Sequence, residues 1–148
     1  MESKPLTYEE FTNIYSKVPR VNVEVILLTE GGVVLTKRSI EPCLGQWHIP
    51  GGTIYMDEAP EDTVIRVAEE ELGVQVEVIR LVGAITYPDI RKQGYFGWPV
   101  GLAYEVKLIS GELRGSYQGE EVGTFEKLPD NMIKDQVKFI KNFYPKLI

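Results

Sequence analysis

Three consecutive glutamates, Glu69, Glu70 and Glu71, stand near the end of the otherwise amphipathic stretch PEDTVIRVAEEELG (residues 60–73). On a helix they fan across more than half the circumference, at about 100° per residue. They repel one another, and the helix dipole disfavours negative charge at this end. Arg66 lies four residues before Glu70, so the two share a face and pair. Glu71 falls on the face of Val67, while Glu69 projects elsewhere and is free to be solvated. The helix therefore presents two adjacent carboxylates, one of them steadied by an arginine. Close carboxylates resist joint ionisation unless a cation lies between them. Oxygen-only donors select hard ions such as Mg²⁺ or Mn²⁺. Gly51 and Gly52 precede the helix, and glycine lets backbone approach a ligand and point a carbonyl at it. Glu58 would reach back to Arg66 at the base of the same site. The competing reading is a solvated acidic helix.

A second stretch with chemical potential is PDIRKQGYFGWP (88–99). Tyr95, Phe96 and Trp98 offer faces for stacking on a base, and Arg91 and Lys92 offer charge for a phosphate. The same residues would serve equally to pack a loop or a dimer contact.

The elements that must position these groups follow from periodicity. Residues 6–17 read as a short helix with capping-box spacing at Thr7 and Glu10 and a shared face of Phe11, Ile14 and Tyr15. VNVEVILL (21–28) is a strand, EGG (30–32) a turn and VVLTKR (33–38) its hairpin partner. SIEPCLGQ (39–46) is loop, and WHIPGG (47–52) ends a strand at two glycines. Pro60, Glu61 and Asp62 suit a helical first turn, and Val64, Val67, Ala68 and Leu72 form one apolar stripe before a Gly73 stop. Strands follow at 74–87, 100–109 and 122–126, with loops at 88–99 and 110–121. The last helix, MIKDQVKFIKNFY (132–144), carries Ile133, Val137, Phe139, Ile140 and Phe143 on a broad face. Strands, helix, strands, helix predict a mixed α/β sandwich over 1–148, one domain with residues 1–20 as an N-terminal helical extension.

A net charge of −6 argues against a nucleic-acid partner, which would need clustered Lys and Arg. Small phosphorylated ligands remain compatible, because a divalent cation supplies local positive charge. Cys43 stands alone, so no internal disulfide or cysteine-based zinc site forms, and a packed thiol is expected. The single histidine, His48, sits in the apolar run QWHIP and reads as a strand residue. The start, MESKPLTYEEF, lacks signal-peptide character, and no apolar run reaches transmembrane length, so a cytoplasmic protein with no membrane partner is expected.

Taken together, Gly52, Glu58, Arg66, Glu70, Glu71, Gly73 and Val74 resemble the Nudix box. That pattern is a glycine, five residues, a glutamate, seven residues, then Arg-Glu-apolar-any-Glu-Glu-any-Gly-apolar, and it runs here as GTIYMDEAPEDTVIRVAEEELGV. The resemblance implies a Nudix-type α/β/α sandwich with a mixed sheet, a central catalytic helix and a C-terminal helix. It implies a hydrolase that cleaves a nucleoside diphosphate linked to another moiety, using Mg²⁺ or Mn²⁺. The Gly52 carbonyl, Glu70 and Glu71 would hold the metal, and Arg66 and Glu58 would orient the carboxylates. One departure matters: the glutamate after the arginine is Val67 here. Candidate substitutes are Glu120 and Glu121, where many members carry a further acidic ligand or base; two solvated loop acids are the alternative.

The N-terminal half, LTYEEFTNIYSKVPRVNVEVILL with LTKRSIEPCLGQWHIPGG, is similar to GDP-mannose mannosyl hydrolases. By that likeness Arg38 would contact the diphosphate, Glu24 would lie near the sugar, and the chain would form a homodimer. Arg38 is otherwise a strand-end surface arginine. The likeness falters at Thr53, where that group has an arginine, and at Gln118-Gly119, where its histidine would follow the glutamine. The retained Glu70 and Glu71 favour pyrophosphate cleavage of a nucleotide sugar or similar nucleotide. Cleavage of the sugar C–O bond and a catalytically weak nucleotide-binding module are the alternatives.

Overall fold

Asn22, Glu24 and Ile26 alternate with Val23, Val25 and Leu27 along β1 (Arg20–Thr29), so the strand shows two different faces to its surroundings. The computed structural model describes residues 4–116 and 120–147, which leaves Gln118 and Gly119 outside the described residues. β1 runs parallel to β6 (Pro99–Gly111), from Arg20↔Pro99 to Leu27↔Val106. On its other edge it pairs antiparallel with β4 (Gly51–Thr53), placing Val23 opposite Gly52 and Glu24 opposite Gly51. Its far end turns into β2 (Gly32–Lys37). β2 in turn pairs with β3 (Trp47–His48) and β7 (Val122–Phe125), and β6 pairs with β5 (Val74–Thr86). The parallel β1–β6 pair among antiparallel neighbours makes the sheet mixed.

Each face of the sheet is covered by a helix. Val23, Val25 and Leu27 pack with Val64, Val67, Ala68 and Leu72 of the central helix. The anticipated stripe is thus buried, each large member contributing about 1.5–3 kcal/mol. Ile26, Leu35, Ile49 and Ile85 pack on the other face with Phe139 and Ile140 of α4 (Lys134–Phe143). Cys43 is buried in that second cluster as a free thiol. The result is an α/β/α sandwich. Among the described residues no helix is long and apolar enough to cross a membrane.

Several expectations need correction. WHIPGG is two strands, because Pro50 lacks an N–H and breaks the ladder; its carbonyl instead accepts from Val25 N–H at 2.7 Å. The predicted loop 88–99 opens with a short helix, α3 (Pro88–Lys92), whose Asp89 and Ile90 N–H groups donate to the Asp135 carboxylate of α4. That cap comes from a distant segment, so no local signal announces it. The first helix, α1 (Tyr8–Tyr15), has the expected Thr7–Glu10 capping box but buries none of its residues fully, and Ile14 is exposed. Phe143 is also exposed, although its ring lies 4.7 Å from that of Phe139.

Candidate active site

Local chemistry fixes the base of the site. α2 (Pro60–Val67) starts with Pro60 in its first turn and with Glu61 and Asp62 complementing the positive end of the dipole. Arg66, in its last turn, donates from Nε to Glu58 Oε2 at 2.8 Å and from a terminal nitrogen to Oε1 at 2.9 Å. The same guanidinium reaches the Thr53 carbonyl at 2.8 Å and Glu70 at 3.3 Å, and it lies 3.8 Å over the Tyr55 ring. Glu58 also accepts from Tyr55 N–H and from the buried Thr63 hydroxyl. Hydrogen bonds from Arg66 hold the Glu58 carboxyl down at about 2. A carboxylate lowered in this way stabilises the fold above its ordinary value near 4.5, and that contribution is lost as pH falls toward 2. Glu58→Gln should therefore lower stability at pH 7 by about 2 kcal/mol, given partial exposure. Its melting temperature should also fall less between pH 5 and pH 3 than that of the wild type. Parallel melting profiles for the two proteins would refute the pairing.

The glutamates themselves sit on a π-helical turn, Ala68–Leu72, rather than on a continuing α-helix. Gly73, in the left-handed region at φ 71°, closes it by donating to the carbonyls of Ala68 and Glu69. A π-turn rotates each residue by less than an α-turn, so Glu70 and Glu71 diverge less than α-helical spacing implies. Glu69 is exposed; Glu70 and Glu71 are half-buried. Burial pushes Glu71 up to about 7, helped by the charges of Glu120 and Glu70. Glu120 is likewise raised by burial, opposed by Arg38. Its carboxylate lies 4.0 Å from His48 Nε2. That contact is not an ion pair, because burial and Arg38 pull His48 down to about 3 and keep it neutral. His48 Nε2 shares a 3.0 Å hydrogen bond with Thr36 Oγ1.

The glycines before the helix have a steric role. A Cβ at Gly52 would lie 2.9 Å from Val67 Cγ2, so β4 and α2 touch directly there. A Cβ at Gly51 would lie 2.5 Å from Glu24 Oε2. Gly51 and Gly52 line a cavity of about 140 Å³ together with Arg20, Glu24, Arg38, His48 and Tyr95. Glu24 is buried on its wall, where Oε1 accepts from Asn22 Nδ2 at 2.8 Å and from the Tyr87 hydroxyl at 2.7 Å. Gln136 of α4 donates to Tyr87 at 2.9 Å and accepts from Ile49 N–H at 2.7 Å. Asn22 Oδ1 is buried and meets no donor among the described residues. Burial raises Glu24 to about 7 against its hydrogen bonds. A raised carboxyl stabilises the fold fully below about 4.5 and loses that contribution as pH climbs through 7. Glu24→Gln keeps an acceptor for both partners, so its stability relative to wild type should rise by about 1–3 kcal/mol from pH 5 to pH 8. Denaturant melts at the two pH values check this, and an equal difference at both would contradict it.

The structure gathers Gly52, Glu58, Arg66, Glu70, Glu71 and Glu120 around the helix end, with Arg38, Glu24 and Tyr95 along the adjoining cavity. Glu121 is exposed, in contrast to Glu120. Trp98 lies outside the cavity lining, 40% exposed on a separate groove with Tyr15 and Arg91. Val67 is 1% exposed in the core and presents no polar group. Sequence reasoning missed Arg20, Asn22, Tyr87 and Gln136; His48 is the strand residue expected, on β3, and also lines the cavity. Two signals were present: Asn22 and Glu24 recur at strand spacing, and Gln136 interrupts an apolar helix face between Ile133 and Ile140.

The donor set of Gly52 carbonyl, Glu70, Glu71 and Glu120 is all oxygen and suits a hard divalent cation. Among the described residues no three acidic, histidine or cysteine side chains gather closely enough to form a ready-made metal cage.

The NUDIX domain pattern matches residues 18–147. A glycan biosynthesis protein of Haloferax volcanii, Low-salt glycan biosynthesis protein Agl8, is 34% identical over 125 residues, spanning 80% of this chain and 78% of its own length. An ADP-ribose pyrophosphatase of Methanocaldococcus jannaschii is 29% identical over 127 residues, spanning 84% and 73%. The crystal structure of a MutT NUDIX hydrolase from Burkholderia pseudomallei superposes with a TM-score of 0.74 at 27% identity, covering 85% of this chain and 98% of that one.

Proposed function

The chain belongs to the NUDIX domain family, and on that premise we propose that it is a Mg²⁺-dependent hydrolase that cleaves the pyrophosphate bond of a nucleotide sugar or similar nucleotide. The observation that carries this reading is the pair Glu70 and Glu71, whose neighbour Glu120 lies 4.0 Å from His48 on the wall of the cavity that also holds Arg38. The two curated relatives support the substrate class, one being named for ADP-ribose and the other for glycan biosynthesis.

The Gly52 carbonyl, Glu70, Glu71 and Glu120 would hold Mg²⁺, with Mn²⁺ as a substitute. When bound, the ion neutralises diphosphate charge and lowers the pKa of a water. Arg66, itself fixed by Glu58 and the Thr53 carbonyl, keeps the Glu70 carboxylate aimed. Arg38 offers the fork that suits a phosphate. Glu24, Asn22 and Tyr87 form the polar wall against which the leaving group is oriented. Val67 supplies no proton acceptor. Of the two acids beyond the loop, we assign Glu120 to the site because it faces Glu71; Glu121, exposed, has no role in this reading.

A panel of GDP-mannose, UDP-glucose, ADP-ribose, a dinucleoside polyphosphate and nucleoside triphosphates, incubated with Mg²⁺ in ¹⁸O-water, tests this. Phosphorus NMR should show a nucleoside monophosphate and a phosphorylated leaving group, with the label on phosphate. A nucleoside diphosphate with label on a free sugar would replace the proposal by C–O cleavage. Tight binding without turnover would replace it by a regulatory binding module.

A further inference from the structure

Arg20 lines the cavity but takes no part in the chemistry assigned so far. A guanidinium has five N–H donors. That of Arg20 gives one, at 3.0 Å, to the Thr53 hydroxyl, and its carbon lies 5.3 Å over the ring of Phe11. Both holders are neutral, and among the described residues no carboxylate lies within 4.0 Å of this guanidinium. The contrast with Arg66 is direct, since that arginine is engaged by two carboxylates and a carbonyl. Among the described residues, Arg20 is therefore held in place with most of its donors uncommitted.

Its place follows from the sheet: Arg20 opens β1 opposite Pro99 of β6 and reaches Thr53 of β4, whereas Arg38 follows the end of β2 and donates to the Pro42 carbonyl. The two arginines thus enter the cavity from different strands. Glu24 does not hold it there, because the Glu24 carboxyl is met by Asn22 and Tyr87. Phe11 comes from α1, a helix with no fully buried residue, and its ring also meets Phe96 at 6.2 Å. This small aromatic wall gives α1 a task that its burial does not explain.

We propose that Arg20 is a second anion-anchoring residue of the cavity, binding phosphoryl or carboxylate oxygens of the substrate beyond Glu24, and that Phe11 is the residue that positions it. The proposal rests on the reading of this cavity as the substrate site.

Arg20→Met, Arg20→Lys and Phe11→Leu test it in the full chain. Steady-state kinetics would use whichever panel substrate is turned over. Calorimetry without added divalent ion would give Kd values for UDP, UDP-glucose and UDP-glucuronate. Arg20→Met should raise KM and Kd by about 10- to 100-fold, with kcat changed far less and melting temperature nearly constant. Arg20→Lys should recover part of the loss, and Phe11→Leu should move KM the same way by a smaller factor. An equal loss on all three ligands identifies phosphoryl oxygens as the anchor; a loss confined to UDP-glucuronate identifies a carboxylate. Unchanged KM and Kd in Arg20→Met, or a fall in kcat alone, would overturn the proposal while leaving the hydrolase reading intact. A wild-type chain that neither binds nor turns over any of these compounds would remove both together.

Discussion

Replacing Glu70 or Glu71 by glutamine is expected to lower Mg²⁺-dependent turnover by about 10²- to 10⁴-fold while the domain stays folded. The substitution preserves volume and removes charge from an all-oxygen donor set. Glu71 is half-buried and pushed up to about 7 by burial and by the charges of Glu120 and Glu70. Without a cation its negative charge is a burden on the fold, so Glu71→Gln should leave metal-free stability equal to wild type or slightly higher. Mg²⁺ should raise the melting temperature of the wild type, because a ligand that binds only the native state stabilises it. That rise should be absent or much reduced in either variant. Full activity in both variants would falsify the metal assignment. A variant that fails to fold without metal would contradict the electrostatic account of Glu71.

The second large effect is expected at Arg66. Arg66→Met leaves Glu58 and Glu70 without their shared cation and the Thr53 carbonyl without a donor. Removing one partner from a paired cluster costs more than the pair contributes, because the remaining charge stays desolvated. The Glu58 and Arg66 side chains are only 20% and 17% exposed, so solvent screens the loss incompletely. We expect a loss of about 2–4 kcal/mol, a fall in melting temperature of about 5–15 °C for a chain of this size, and turnover reduced by about 10²-fold. Glu58→Gln combined with Arg66→Met should cost clearly less than the sum of the two single changes, since both break one network. Additive losses would mean that the residues act independently and that Arg66 does not aim Glu70 through this cluster.

Legibility differed among the parts of this site. The stripe of Val64, Val67, Ala68 and Leu72 and the Arg66–Glu70 pair were readable because helical neighbours are fixed at i+3 and i+4. Glu58 was readable because its partner lies eight residues away on the same loop and helix. The π-turn was not, since its wider hydrogen bonding carries no distinct residue signature in AEEEL. Nor was the contrast between Glu120 and Glu121, because the orientation of adjacent residues entering β7 depends on register with β2.

By itself, then, the sequence determined the acidic helix, its capping and stop, the buried face that docks it and the oxygen-rich chemistry it offers. These depend on contacts within a few residues, where backbone geometry leaves little choice. Only the tertiary structure decided that Glu24 meets Tyr87 across 63 residues, that Tyr87 meets Gln136 across 49, and that Arg20 reaches Thr53 across 33. Those contacts exist because β1 is flanked by β4 and β6 in one particular register, with α4 laid over the same face. Strand pairing of that kind is a choice among distant segments, settled by the packing of the whole core.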